Sequence, residues 1–197
     1  MSVGVLALQG DFREHAQVLR SLGAEVELIR RPEELARVSG LVIPGGESSV
    51  MDKLARAFGL ADPLAAAVRA GLPVYGTCAG LIMLADTVID GISGQQSIGG
   101  FDIAVRRNAF GSQTLSFETD LDVPELGEAP VHAVFIRAPV VESVGPRARA
   151  LATLSDGRCV AVEQDNLLGT SFHPEITGEH RFHAYFLQKV AAADFRR

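Results

Sequence analysis

Residues 3–8 form a nearly continuous apolar run, the pattern of a strand buried on both faces, and the run stops at Gln9-Gly10-Asp11. Phe12, Ala16, Leu19 and Leu22 then recur near helical spacing until Gly23, which predicts a helix over 12–22. The same alternation continues with a strand at 25–29, a short helix at 32–38 opened by proline, and a strand at 40–43 broken by Pro44-Gly45-Gly46. Ser49 with Asp52 resembles a capping box, and Val50, Leu54 and Phe58 form an apolar stripe on the helix it would open. Helical pattern resumes at 64–70. Pro73-Val74-Tyr75-Gly76 reads as a fourth strand, followed by the turn Thr77-Cys78-Ala79-Gly80 and an apolar helix over 81–85. Strands alternating with helices predict a parallel sheet covered by helices on both faces, an α/β fold.

From Ile98 the texture changes to β-branched and alternating runs separated by turn residues, at 101–105, 114–117, 131–136, 140–144, 150–154, 159–162 and 167–172. These predict antiparallel strands added to the parallel core. Phe182, Phe186 and Val190 lie at helical spacing within 179–190 and predict a last helix packed on the sheet. With no repeat and no linker-like stretch, 1–197 reads as a single domain.

Composition narrows the function classes. At 197 residues, 47% hydrophobic and 21% charged, the chain has the balance of a folded globular protein. Eighteen basic against 24 acidic side chains give a net charge of −6, a field that repels nucleic acid and anionic membrane surfaces. Apolar runs such as 64–68 and 81–85 are far shorter than the roughly 20 residues that span a bilayer. The N-terminus has no basic region or small-residue cleavage pattern, so a cytoplasmic protein is expected. The two cysteines are too few for a disulfide framework and lack metal-ligand spacing.

Cys78 lies in Gly76-x-Cys78-x-Gly80 between a predicted strand and helix. That is the sulfur counterpart of a nucleophile elbow, whose tight turn lifts the nucleophile above the sheet. A helix N-terminus behind it favours a thiolate, and the Ala79 amide points where an oxyanion would form. Cys159, in a strand without glycines, reads as a packed side chain. A cysteine nucleophile needs a base. Phe172-His173-Pro174-Glu175 places a carboxylate two residues after a histidine where the chain leaves a strand, and two such residues in an extended segment project to one side. Alone this is a solvated His-Pro turn; beside the cysteine elbow it reads as a base with its orienting group. His15, His132, His180 and His183 have no such partner and read as packing or surface residues. Pro44-Gly45-Gly46-Glu47-Ser48-Ser49 reads equally as an ordinary turn with a serine cap or as a second oxyanion donor, the Gly46 amide. No G-K-[ST] follows it, and no G-x-G-x-x-G follows the first strand, which disfavours nucleotide folds. Arg106, Arg107 and Arg137 are the basic groups that a substrate carboxylate would use.

Together, Tyr75-Gly76-Thr77-Cys78-Ala79-Gly80, Pro44-Gly45-Gly46-Glu47-Ser48 and Phe172-His173-Pro174-Glu175 resemble the class I (triad) glutamine amidotransferases. Leu6-Ala7-Leu8-Gln9-Gly10, Arg107-Asn108-Ala109-Phe110-Gly111 and Phe135-Ile136-Arg137-Ala138-Pro139 are similar to the branch that serves as glutaminase subunits of pyridoxal 5'-phosphate synthases. One departure is Ser112, where that branch usually has arginine.

The resemblance implies a flavodoxin-like three-layer sandwich with a mainly parallel central sheet. It implies hydrolysis of L-glutamine, with Cys78 as nucleophile, His173 as base and acid, Glu175 orienting His173, and the Gly46 and Ala79 amides holding the oxyanion. Gly46, Glu47, Ser48, Arg107, Ile136 and Arg137 would line the glutamine site. The implied partner is a (β/α)8-barrel synthase subunit, with no cofactor and no metal in this chain. Two rivals remain at this stage: another cysteine hydrolase or amidotransferase on the same fold, and a redox sensor built on a reactive Cys78. The second has no use for a histidine and carboxylate aimed at the thiol.

Overall fold

A computed structural model describes residues 2–107 and 116–194. The motif residues Asn108, Ala109, Phe110 and Gly111, the departure at Ser112, and the first half of the strand expected at 114–117 lie outside the described residues.

The first half follows the expected alternation: β1 (Ser2–Leu6), α1 (Phe12–Ser21), β2 (Glu25–Ile29), α2 (Pro32–Leu35), β3 (Gly40–Ile43), α3 (Ser48–Ala57), α4 (Ala61–Arg69), β4 (Val74–Thr77) and α5 (Ala79–Leu84). The second half holds β5 (Ala85–Ile89), β6 (Phe101–Arg106), β7 (Phe117–Leu121), β8 (Val131–Phe135), β9 (Val140–Val144), β10 (Arg149–Thr153), β11 (Cys159–Gln164), β12 (Leu167–Thr170) and α6 (Arg181–Asp194). The main sheet runs β2-β1-β3-β4-β12-β11-β9-β6-β5, with β10 paired to β11, while β7 and β8 form a separate two-stranded ribbon.

The strands β2, β1, β3, β4 and β12 are mutually parallel. Their order is that of a flavodoxin-like sheet, with the fifth strand supplied by β12 after a long, mostly antiparallel excursion. Two expectations are corrected. Residues 167–172 were expected to join an antiparallel addition, yet β12 pairs parallel with β4 in the register Leu167↔Val74 to Thr170↔Thr77 and belongs to the core. The helix expected over 81–85 ends at Leu84, and Ala85 begins a strand that pairs parallel with β6. Local pattern cannot tell these arrangements apart, because pairing direction depends on where the connecting chain returns.

Side-chain alternation explains why helices cover both faces. Leu41, Ile43, Val74 and Leu167 point into one core beneath α3, α4 and α5, while Val42, Tyr75 and Leu168 point into the other beneath α1 and α6. Phe182, Phe186 and Val190 of α6 are fully buried in the second core. On α3 the expected stripe faces the wrong way: Val50 and Phe58 are 40% and 56% exposed, and Met51 and Ala55 are the buried pair. The cap differs too, since the N-cap is Glu47, whose carboxylate accepts from the Ser49 backbone N–H. Among the described residues no helix is long and apolar enough to cross a membrane.

Candidate active site

In an open parallel sheet ligands bind beyond the carboxyl ends of the strands, where the chain order reverses. Here β1 leads outward to β2 and the chain then returns to β3 on the other side of β1. The loops leaving β1, β3, β4 and β12 carry Gln9 and Asp11, Gly45 to Ser48, Cys78, and His173 in turn. They surround a cavity of about 320 Å³, completed by Ile82, Arg107, Ile136 and Arg137.

Cys78 has φ +47° and ψ −102°, a left-handed turn forced between β4 and α5. Its N–H donates to the Thr170 carbonyl of β12 at 2.8 Å, which ties the turn to the neighbouring strand. The flanking glycines are steric requirements. A Cβ on Gly76 would lie 2.6 Å from the Gly80 carbonyl carbon, and one on Gly80 would lie 2.8 Å from the Ile43 carbonyl carbon. Without them α5 could not start directly against β3 and β4. Ala79 is the first residue of α5, so its amide is one of the helix's orphan first-turn donors.

His173 Nδ1 donates to Glu175 Oε1 at 2.7 Å, and the ring shares the cavity wall with Cys78, whose side chain acts on its protonation. Glu175 is not in an extended segment as expected. It lies in a 3-10 turn over Pro174–Ile176, where the fixed φ of Pro174 folds the carboxylate back onto the imidazole. Burial by itself would lower the His173 pKa; the bonds to Cys78 and Glu175 outweigh it and push the pKa up to about 11. Burial raises the Glu175 carboxyl, opposed by His173. Gly45 makes room for this arrangement, since a Cβ there would overlap His173 Cε1. Cys159 is the contrast: buried outside this cavity, its thiol is pushed up to about 11 by that burial.

Glu47 and Arg107 pair at 2.8 Å, and Arg107 also donates to Gln95 Oε1 at 2.8 Å. Gln95 in turn donates to Ser48 Oγ at 3.0 Å. Arg107 is therefore already engaged, whereas Arg137, at φ +46° and exposed, has no ion-pair partner among the described residues. Of the residues singled out in the sequence, Cys78, His173, Gly46, Glu47, Ser48, Arg107, Ile136 and Arg137 line the cavity, with Glu175 behind His173 and Ala79 behind Cys78. Arg106 points elsewhere, to Asp90 and Glu142.

The sequence profile of the SNO glutamine amidotransferase family matches residues 5–192. The chain belongs to that family. This glutamine amidotransferase is 73% identical over 188 residues, 95% of each chain, to a protein of Leifsonia xyli subsp. xyli named pyridoxal 5'-phosphate synthase subunit PdxT. It is 60% identical over 190 residues, covering 96% of this chain and 94% of the relative, to a protein of the same name from Streptomyces avermitilis. A crystal structure titled glutamine amidotransferase superposes with a TM-score of 0.89 at 46% identity, covering 96% of this chain and 98% of the other.

Three features of the amidotransferase site escape the sequence pattern. Gln9 Oε1 accepts from the Glu47 N–H at 2.8 Å and holds the loop after β3 against the end of β1. Gln95 is brought in from a loop remote in sequence, with no local signal. His15 and His183, taken as packing residues, form a fully buried pair behind the triad. Their rings are joined at 2.8 Å, and His15 Nε2 lies 3.0 Å from Thr77 Oγ1 and 3.5 Å from Glu175 Oε1.

Burial, aided by the neighbouring histidines, holds His15 well below its ordinary 6.5, and burial with His180 nearby holds His183 down to about 3. A histidine whose native pKa is depressed costs stability as pH falls, because the unfolded chain takes up protons that the native one refuses. Each of the pair should cost about 1.4 kcal/mol per pH unit below 6.5, until its native pKa is reached. His173 works in the opposite sense: its raised pKa contributes stability that is complete below 6.5 and lost as pH rises through about 11. Stability should therefore peak near pH 6.5. Urea unfolding from pH 4.5 to 9 checks this, and a flat profile between 6.5 and 5 would exclude the neutral pair.

Proposed function

We propose that this chain hydrolyses L-glutamine to L-glutamate and ammonia through Cys78, His173 and Glu175, and that it is the glutaminase subunit of pyridoxal 5'-phosphate synthase in vitamin B6 biosynthesis. The observation that carries this reading is a cysteine on a strained strand-to-helix turn, lining one cavity with an imidazole whose Nδ1 is held by a buried carboxylate. Cys78 Sγ attacks the side-chain amide carbon, and the oxyanion is met by the amides of Ala79 and Gly46. His173 delivers the proton that lets ammonia leave and a thioester remain. A water then attacks the thioester with His173 as base, releasing glutamate and the thiol. The whole chain acts as one glutaminase domain and needs no cofactor or metal for these steps. The two free thiols suit the reducing cytoplasm, where we place it.

The relatives named as synthase subunits support a partner that consumes the ammonia, and the family resemblance makes that partner a (β/α)8 barrel. The deciding experiment is ammonia release from glutamine by the chain with and without its synthase subunit, coupled to pyridoxal 5'-phosphate formation. The expected result is glutamine-dependent product from the complex. Absence of ammonia release from the assembled pair overturns the reading.

The pocket suggests how glutamine is held. Arg107 is committed to Glu47 and Gln95, so the substrate carboxylate falls to Arg137, and the Glu47 side of the pocket faces the α-amino group. Arg137→Ala should raise KM for glutamine by about 10- to 100-fold, the worth of a charge-assisted contact, while changing kcat little. Steady-state kinetics of the complex read this directly; an unchanged KM moves the carboxylate elsewhere.

A further inference from the structure

His15 and His183 are each fully buried and each make polar contacts that the triad chemistry does not use. Both are neutral, so each ring carries one N–H and one lone pair. The contact between His15 Nδ1 and His183 Nε2 then admits only two proton arrangements. If His15 Nδ1 carried the proton, His183 would have to carry its own on Nδ1, which is buried and without a partner, leaving an orphaned donor. The His15 Nε2 lone pair would at the same time face the Glu175 carboxylate at 3.5 Å. If instead His183 Nε2–H donates to His15 Nδ1, the unpartnered His183 Nδ1 is only an acceptor, and His15 Nε2–H points at Thr77 Oγ1 and Glu175 Oε1. The second arrangement gives both buried ring N–H groups an acceptor, with Thr77 accepting through its hydroxyl oxygen, and puts the positive end of an N–H dipole on the carboxylate.

We propose that His15, locked in its Nε2–H tautomer by His183, is a positioning residue that holds Glu175 for His173. Glu175 needs such help. Its Oε2 has no hydrogen-bond partner, and Oε1 is the same oxygen that His173 uses. The other polar or charged groups facing this carboxylate are Asp11, whose charge opposes it, the Tyr75 ring and Thr77. Without the His15 N–H, the carboxylate would be left to His173 and its own backbone N–H, and the imidazole it orients would lose a fixed reference point. Because His15 is on α1 and His183 on α6, the packing of the C-terminal helix sets, through one hydrogen bond, the proton position on a ring whose Nε2 lies 3.5 Å from the Glu175 carboxylate.

The inference rests on the glutaminase reading, but its first test does not. Long-range 15N–1H spectra of the labelled full chain at pH 7 should show His15 and His183 both neutral with the proton on Nε2. A His15 ring protonated on Nδ1, or doubly protonated, overturns the proposal whatever the chain's activity. The second test is glutamine hydrolysis by the synthase complex, with the wild-type complex as the control for the glutaminase reading itself. His15→Leu should lower kcat about 10- to 100-fold, the loss expected when a catalytic group is misplaced by a fraction of an ångström to one ångström, with KM for glutamine within about twofold. His15→Gln, whose amide keeps an N–H near the position of Nε2, should recover most of kcat. Equal impairment of two folded variants, or full activity of His15→Leu, overturns the proposal. If His15→Leu does not fold, the tautomer measurement on the unaltered chain decides.

Discussion

Cys78→Ala abolishes glutamine hydrolysis, a loss on the order of 10⁴- to 10⁶-fold in kcat, while the chain stays folded and still binds its synthase subunit. The size follows from chemistry: no other group in the cavity can form the thioester, and removal of a triad nucleophile costs nearly as much as removal of the whole triad. Folding survives because the turn is built from other parts. The positive φ at residue 78, the Cys78 N–H bond to Thr170 and the close approaches at Gly76 and Gly80 are all backbone features that alanine keeps. The substitution has a second readout. The Cys78 side chain is one of the two partners that hold the His173 pKa up against burial, so the His173 pKa should fall in Cys78→Ala, measurable by NMR titration. Cys159→Ala should leave kcat within about twofold, since that thiol is buried outside the cavity with its sulfur on the Ala161 carbonyl. Retained activity in Cys78→Ala, or lost activity in Cys159→Ala, would reassign the nucleophile.

His173→Ala should be as damaging as loss of the thiol, and Glu175→Gln less so by about 10- to 100-fold. In the proposed mechanism the imidazole moves the proton in both halves of the reaction, so nothing replaces it. Glu175 acts only through that ring. A glutamine at 175 fits the same buried site and still offers a carbonyl oxygen to His173 Nδ1–H, but it removes the negative charge that favours the imidazolium. The two variants should also differ in ground-state signature. With Glu175→Gln the His173 pKa falls from about 11, because one of the two groups sustaining it is weakened. Single-turnover assays in the complex separate the chemistry from ammonia transfer. An active His173→Ala variant would point to another base, although His15 and His183 are sealed away from the cavity and His132 and His180 do not line it.

How far the chain could be read in advance depended on the range of the forces involved. The first parallel strands and their helices were legible because burial on alternating faces imprints a period on local sequence, and the two ends of β2, β3 and β9 are where the pattern puts them. The elbow, the loop after β3 and the Phe172 to Glu175 segment were legible for a different reason. Glycine is required where backbones meet at less than ordinary contact distance, and a nucleophile, a base and an orienting carboxylate are scarce residue types whose spacing is conspicuous.

What the sequence by itself determined, then, is the α/β class, the cysteine, histidine and glutamate of the site, and the loops that frame it. Tertiary structure alone decided the rest. It made β12 the fifth strand of the core, since strand direction depends on the return path of the long chain between Thr77 and Leu167 and not on local pattern. It turned α3 so that Met51 and Ala55 face inward, because they pack into the core with Ile43, Leu64 and Ile82. It engaged Arg107 and left Arg137 open, and it joined His15 to His183 across 168 residues of sequence. The Arg107 and His15–His183 contacts are pairings between side chains brought together only by the closed fold, where burial makes an unsatisfied polar group costly and so dictates the partner.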